Sequence, residues 1–488
     1  MTKKILFSHS YFMRFDPKQW EGGQPYAPLG TLYAAAIMRN NGYKVSVFDT
    51  MFCEGPESLS GIIQADRPDY FVIYDDGFNY LTKMCLTNMR DAAFRMIRKA
   101  RQQNIKVLVS SSDSTDHFEE YLRQGADFVL IGEAEMTLLE LISADNEKSA
   151  DYAKIPGLAY LEDQILIKTP RRELIRDLDS LPFPAWDLID LSPYRNTWIK
   201  KHGYFSMNMA TTRGCPFKCN WCAKPIYGNR YHARSPRHVA EELKMLANIF
   251  RAEHIWFCDD IFGLKPGWID EFAEILRKEE IRIKFKIQAR ADLLLHEGVI
   301  DSLAKAGCEN VWMGAESGSQ KILDAMDKGI TVEQIREATG KLKKAGIHPS
   351  FFIQFGYLGE TREDIFQTIR MIHELLPYEI GISISYPLPG TVFFEKVRKD
   401  MQGKTNWTDS DELQLMFRNT YQPRFYKQLH RYVHKSYRRQ LALDNIKKLF
   451  RQPLRVDLKL IRSACSFFYF MPAAFISRQK LNAFEKTA

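Results

Sequence analysis

Three cysteines, Cys215, Cys219 and Cys222, fall within eight residues in the stretch Thr212-Arg213-Gly214-Cys215-Pro216-Phe217-Lys218-Cys219-Asn220-Trp221-Cys222. The spacing is C-x3-C-x2-C, and it uses three of the chain's eight cysteines. Thiolates are soft ligands that repel one another at close range unless a metal shares their charge. Iron–sulfur clusters are held by cysteine thiolates, and a cube of four irons asks for four ligands. Three local thiolates therefore leave one iron with an open position of the kind that catalytic metals keep. An open iron on a low-potential cluster can chelate a small molecule and hand it an electron. A structural zinc knuckle is the competing use of such a stretch. Zinc takes four ligands, commonly from paired hooks, and here Cys258 and Cys308 are isolated.

The spacing, with Trp221 ahead of the third cysteine, resembles the radical S-adenosylmethionine superfamily. The resemblance implies that Cys215, Cys219 and Cys222 carry a 4Fe-4S cluster whose free iron binds the amino and carboxylate groups of S-adenosylmethionine. Electron transfer then breaks the sulfonium and makes a 5′-deoxyadenosyl radical, which takes a hydrogen from an unactivated carbon. Trp221 would pack near the adenosyl group. An external electron donor such as flavodoxin or ferredoxin is implied as well.

Such a loop needs strands to hold it. Between residues 204 and 403 the pattern repeats six times as strand then helix, with strands expected at 206–212, 254–258, 284–289, 310–314, 351–355 and 381–386. Parallel βα units curl into a barrel with chemistry at the C-terminal strand ends, and six units match the partial (β/α)6 TIM-type barrel of the resembled family. Polar residues follow the strands as that placement requires. Asp259 and Asp260 follow the second; the resemblance puts one of them near the methionine amine, and an N-cap is the bland alternative. Arg290 follows the third strand. Its forked donor suits a carboxylate, whether the methionine's or a neighbour's in a structural ion pair. After the fourth comes Gly314-Ala315-Glu316-Ser317-Gly318-Ser319, which looks like the family's signature there. By resemblance Glu316 and Ser317 contact the ribose hydroxyls or the amine. The turns Gly356-Tyr357-Leu358-Gly359 and Pro387-Leu388-Pro389-Gly390 would shape the adenosyl and substrate walls.

Residues 1–145 alternate short apolar strands, expected at 4–8, 44–48, 70–74, 106–110 and 128–131, with helices, the mark of a doubly wound parallel sheet covered on both faces. Ligands of such sheets sit beyond the carboxyl ends of the strands. The motifs Pro28-Leu29-Gly30-Thr31, Gly125-Ala126-Asp127 and Gly132-Glu133-Ala134-Glu135 resemble the cobalamin-binding domain fused to one radical S-adenosylmethionine subfamily, that of anaerobic cyclases and P-methylases. By that resemblance Leu29, Gly30, Thr31, Asp75, Ser111, Ser112, Gly132 and Glu133 line a cobalamin site. Two departures stand out. No Asp-x-His-x-x-Gly signature is present, and Ser110-Ser111-Ser112-Asp113 replaces a glycine-rich turn. A domain that keeps the fold without the corrin is the alternative.

Prolines punctuate 146–203, which reads as a linker with a small hairpin near 158–168. Region 404–488 reads as a basic helical tail, with helical segments expected at 425–439, 444–452 and 455–476. From Arg418 onward 16 Lys+Arg face 3 Asp+Glu, a net of +13, whereas the whole chain carries +8. The positive charge therefore belongs to the tail. Aromatics interleaved with bases at helical spacing suit an anionic membrane surface. Covering the barrel is an alternative, and nucleic acid is the least favoured partner. The apolar run 467–476 is shorter than the roughly 18 residues that span a bilayer.

The expectation is a cytoplasmic α/β enzyme of the radical S-adenosylmethionine class, peripheral at the membrane. Its substrate is a small molecule, lipid-like or apolar, that undergoes methylation, cyclisation or rearrangement. A methylthiotransferase acting on RNA or protein would need a second cluster, but the first 145 residues hold only Cys53 and Cys85. A non-catalytic redox-sensing iron–sulfur protein is the remaining alternative.

Overall fold

The computed structural model describes residues 2–75, 77–145, 151–451 and 458–485. Two parallel sheets organise the chain. The first contains β1 (Lys4–Ser8), β2 (Lys44–Phe48), β3 (Tyr70–Tyr74), β4 (Lys106–Ser110) and β5 (Phe128–Leu130), in spatial order β2-β1-β3-β4-β5. The strand Tyr-Phe-Val-Ile-Tyr of β3 is buried throughout, as a strand covered on both faces must be. Its side chains alternate between two cores. Ala34, Ala35 and Met38 of α1 (Leu29–Asn40) pack on one face, and Ala92, Ala93 and Met96 of α2 (Thr87–Arg101) pack on the other.

The sheet is larger than the sequence suggests. The hairpin of β6 (Leu158–Glu162) and β7 (Ile165–Lys168) does not stand alone in a linker; it pairs antiparallel with β5, Val129 opposite Ala159. The parallel sheet thus acquires an antiparallel margin. The physical reason is the free edge of β5, which the buried residues Leu158, Ala159 and Tyr160 cover.

The second sheet runs β8 (Ser206–Met209), β11 (His254–Phe257), β12 (Lys284–Ala289), β13 (Cys308–Glu316), β14 (His348–Phe355) and β15 (Ile380–Ile384), all parallel and in chain order. Helices α3 (Pro236–Asn248), α4 (Trp268–Lys278), α5 (Val299–Ala306), α6 (Val332–Lys344) and α7 (Arg362–Leu375) follow successive strands. This is the expected six-stranded partial barrel. Its first strand is interrupted: Thr212–Arg213 form a separate strand, β9, which pairs antiparallel with β10 (His232–Ala233). The loop before α1 packs against the barrel strands. The Tyr26 ring lies 4.6 Å from that of Trp256, tilted by 51°, its hydroxyl 3.2 Å from Ser206 Oγ, and Asn208 Nδ2 donates to the Ala27 carbonyl.

The tail is helical, as expected, in α8 (Pro423–Arg451), α9 (Leu458–Cys465) and α10 (Phe467–Glu485). The segments expected at 425–439 and 444–452 merge into one helix, because Gln440-Leu441-Ala442-Leu443 between them are good helix formers. Gln452 and the expected start of the third segment at 455 lie outside the described residues. Tyr426, Leu429 and Val433 of α8 are buried against the barrel core, so its inner face covers the barrel.

Candidate functional site

The cysteines sit on the loop between β9 and β10, lifted off the C-terminal end of β8. Gly214 makes that loop possible. Its φ is +79°, and a Cβ there would lie 2.4 Å from the Arg230 carbonyl, so any side chain collides with the returning strand. Asp259, at the mouth of β11, ties the base of the loop. Its Oδ1 accepts from the backbone N–H groups of Thr211 and Thr212 (2.7 and 2.8 Å), and its Oδ2 accepts from Thr211 Oγ1 (2.6 Å). Burial nonetheless raises this carboxyl to about 6.

Between the second and third cysteines, Asn220 buttons the loop to the segments that follow β13, β14 and β15. Its Nδ2 donates to the Ala325 carbonyl and to Asp327 Oδ2, both 2.8 Å. Its Oδ1 accepts from Tyr357 Oη, also 2.8 Å, and its carbonyl accepts from Phe393 N–H. Together with Asp259 after β11, the segments following four barrel strands thus set the loop's position, which is the geometry a barrel-mounted cluster needs.

Cys215 and Cys222 are poorly ionised by themselves. Burial pushes Cys215 up, and burial with Asp260 nearby pushes Cys222 to about 12. A metal would have to supply the charge that keeps them as thiolates. Among the described residues no three His, Cys or carboxylate groups converge on one metal ion. Thiols spread over a loop are compatible with a cube, where each sulfur ligates its own iron.

A cationic wall faces Cys219. The Arg290 guanidinium lies 3.8 Å over the Phe217 ring, with Nη1 3.9 Å from Cys219 Sγ. Its remaining donors go to Asp292 and to the carbonyls of Lys328 and Gly329. Lys328 forms a buried 2.9 Å pair with Glu316 and lies over the Trp221 ring. Gly314 leaves room for that pair, since a Cβ there would sit 2.6 Å from Lys328 Nζ. Glu316 holds a left-handed φ of 56°, a strained conformation for a side-chain-bearing residue and one that clusters at ligand sites. The Trp221 Nε1–H is buried without a partner.

The expected site residues therefore divide. Trp221, Glu316 and Arg290 gather around Cys219. Asp260 reaches the same region from β11 and pairs at 2.5 Å with Lys83 of the first sheet's domain. Asp259 and Ser317 are occupied structurally: Ser317 Oγ lies 3.0 Å from Thr368 Oγ1 and caps Ser319 N–H. Sequence reading missed Lys328, Lys83 and Asn220. A lysine before a glycine at a helix end reads as a C-cap, and only the missing side chain at Gly314 hints at what crosses it.

The barrel lumen was also missed. Phe285 and Ile287 of β12 are buried toward the helices, so Lys286 and Gln288 point the other way. The Lys286 ammonium lies 5.3 and 5.4 Å from the Tyr26 and Trp256 rings. No carboxylate is within ion-pair distance among the described residues, and burial lowers it to about 8. Trp312 and Phe352 stack at 4.7 Å in the same sheet.

The carboxyl edge of the first sheet differs. Thr31 Oγ1 donates to the Tyr74 carbonyl, and Asp75 accepts from the Ser10 N–H and Oγ. Leu29 and Gly30 are buried within α1. Ser111 Oγ caps Ser114 N–H. Glu133 and Glu135 take Arg213 at 2.5 and 2.9 Å, and the rings of Tyr33, Phe78 and Tyr227 surround its guanidinium. Asp113, in the serine turn, is drawn aside by Arg90 (2.7 and 2.5 Å) and Tyr121. Ser112 Oγ is buried without a partner. The tip of the cysteine hairpin, Ile226 and Tyr227, rests against Gly77, and Ile226 also against Gly132.

Comparison with known proteins agrees with this arrangement. The Radical SAM superfamily model matches residues 209–372. An uncharacterized methyltransferase of Pyrococcus horikoshii is 30% identical over 386 residues, 78% of this chain and 80% of that protein. The anaerobic magnesium-protoporphyrin IX monomethyl ester cyclase of Rubrivivax gelatinosus is 27% identical over 81% of this chain and 70% of its own length. Among solved structures, the cobalamin-dependent S-adenosylmethionine radical enzyme OxsB with aqua-cobalamin bound covers 98% of this chain and 72% of its own. Its TM-score is 0.74 at 16% identity, a likeness of fold.

Proposed function

This chain belongs to the radical S-adenosylmethionine superfamily, and from that premise we propose that it is a cobalamin-dependent member modifying an unactivated carbon of a small molecule. The observation that carries the reading is the cysteine hairpin buttoned by Asn220 across the barrel mouth. When bound to Cys215, Cys219 and Cys222, a 4Fe-4S cluster supplies the electron that splits S-adenosylmethionine and yields a 5′-deoxyadenosyl radical. The chain's own residues position and shield. Arg290 holds the Phe217–Cys219 segment, and Lys328 places positive charge beside Cys219 and Trp221. Glu316 and the unpartnered Trp221 N–H are the polar groups nearest to where the nucleoside would lie. Asp260 would meet the methionine amine by exchanging its partner Lys83. Asp259 and Ser317 support these groups from behind.

The assigned units are 1–145 for the corrin domain, with the β6–β7 hairpin added, 146–203 as connector, 204–403 for catalysis and 404–488 as tail. Cobalamin, when bound, supplies a methyl group or steers the carbon radical. Ser112 and Gly132 are the residues whose surroundings fit it, since the Ser112 hydroxyl is orphaned and Asp113 is turned away. Thr31, Asp75 and Glu133 act in this reading as scaffold. The relatives include a methyltransferase and a cyclase, so the modification is either methyl transfer or cyclisation. An external one-electron donor completes the system in the cytoplasm. Lys286 beneath an aromatic lumen suits an apolar, lipid-like substrate with one anionic group.

Anaerobic reconstitution tests the proposal. About four irons per chain and 5′-deoxyadenosine formed from S-adenosylmethionine plus dithionite are expected. A cube already capped by a protein side chain, or binding of zinc in place of iron, would refute it.

A further inference from the structure

The tail carries an apolar surface pointing away from the protein. On α10, Phe468, Tyr469, Met471, Phe475 and Ile476 are exposed, the first at 74%, Tyr469 at 67% and Phe475 at 62%. At about 100° per residue they share one arc, roughly 160° wide. The buried residues Ala474, Ser477 and Leu481 occupy the opposite side, against α8. Exposed Arg478 and Lys480 fall at the two margins of the arc. Ile461 of α9 and Phe450 at the end of α8 are exposed as well, with exposed Lys447 and Arg462 near them along the chain. Monomeric proteins rarely expose so large a contiguous apolar area.

We infer that the outer face of α9 and the first half of α10 lies in the headgroup layer of an anionic membrane, tethering the barrel to the lipid surface. This goes beyond the catalytic reading and does not rest on it. Charge selects the occupant. The tail from Arg418 carries a net +13, and two copies joined through this face would bring those charges together. Anionic lipid complements them, and basic residues flanking an apolar arc are the usual form of an interfacial helix.

The stretch Leu460–Glu485 is by length and composition able to cross a bilayer, contrary to the expectation from the shorter run 467–476. Its packing argues for lying on the surface. Gln428 Nε2 donates to the Ser477 carbonyl and Oγ, both 2.8 Å, and Arg438 lies 5.7 Å over Phe470. Asn445 Nδ2 donates to Ser463 Oγ. Alongside α9 and α10 thus runs α8, which brings Lys427, Arg431, Lys435, Arg438 and Arg439 with it. Spanning would draw those charges into hydrocarbon.

Flotation of the full chain with vesicles tests the assignment and needs no cofactor. The protein should float with phosphatidylglycerol–phosphatidylcholine vesicles, much less with phosphatidylcholine alone, and less in high salt. The double variant Phe468→Ser/Phe475→Ser should lose at least tenfold in partitioning while its circular-dichroism melt is unchanged. Failure of the wild-type chain to float with anionic vesicles would overturn the assignment, as would a double variant that floats equally well. Alkaline carbonate that fails to strip the chain would indicate spanning. A dimer that the double variant dissociates would assign the face to a second copy. Either of these results overturns the proposal too.

Discussion

The two parallel sheets obey the same rule and use it differently. Each presents the carboxyl ends of its strands toward the other, where ligands of parallel sheets bind. At the barrel edge three thiols and an indole N–H without a partner lie beside a lysine–glutamate pair on a strained backbone. At the first sheet's edge nearly every polar group is consumed internally, by Ser10, Tyr74, Arg90 or Arg213, leaving the Ser112 hydroxyl. One edge is built for ligands before they arrive. The other is built first as a joint, with Arg213 as its pin, and only secondarily as a site.

The sharpest break of that contrast is Cys219→Ala. After anaerobic reconstitution its iron content should drop below one per chain and 5′-deoxyadenosine formation to background, while chain stability changes little. Arg213→Met attacks the joint instead. It leaves Glu133 and Glu135 buried and uncompensated, which costs about 3–5 kcal/mol, read by denaturant unfolding of the apo chain. Combining it with Glu133→Gln and Glu135→Gln should recover most of the loss; no recovery would mean that the residues act separately.

Glu360, in the turn after β14, gives the pH arm. Its Oε2 accepts from Gly356 N–H at 2.6 Å, Oε1 is orphaned, and burial raises the carboxyl to about 8. A raised folded value means that the unfolded chain releases its proton first. Stability from this group is full at pH 4 and falls as pH rises toward 8, at about 1.36 kcal/mol per unit. Glu360→Gln escapes that loss. It should melt like wild type near pH 4.5 and be more stable by roughly 2–4 kcal/mol at pH 8.5. A pH-independent difference would show that the group is ionised in the native state. The smallest effect belongs to Ser112→Ala. Its stability should stay within about 0.5 kcal/mol of wild type, while hydroxocobalamin retained after desalting falls several-fold. Unchanged retention would remove Ser112 from the corrin edge.

Most of the fold was legible because its strands are continuous apolar runs separated by amphipathic helices. β1 to β4 were expected at their observed bounds, and each barrel strand fell within a few residues of them. The misjudged pieces depend on partners far along the chain. The 158–168 hairpin reads as linker until the edge of β5 is known to need cover. For Arg290 the sequence left two carboxylates open, the methionine's or a neighbour's, and in the fold Asp292 and two carbonyls engage it; its sequence neighbourhood looks the same either way. Lys328 and Lys286 carry no local mark at all.

What the sequence determined alone is the chemistry that needs only short-range order: a hairpin of three thiols, a glycine that lets it turn, and alternating apolar runs that commit the chain to two parallel sheets. Tertiary structure decided which polar groups remain free, because a carboxylate or guanidinium is spent or available only according to what lies opposite it. It also decided that the outward side of α10 is the apolar one, since only packing against α8 settles which face is left for a surface outside the protein.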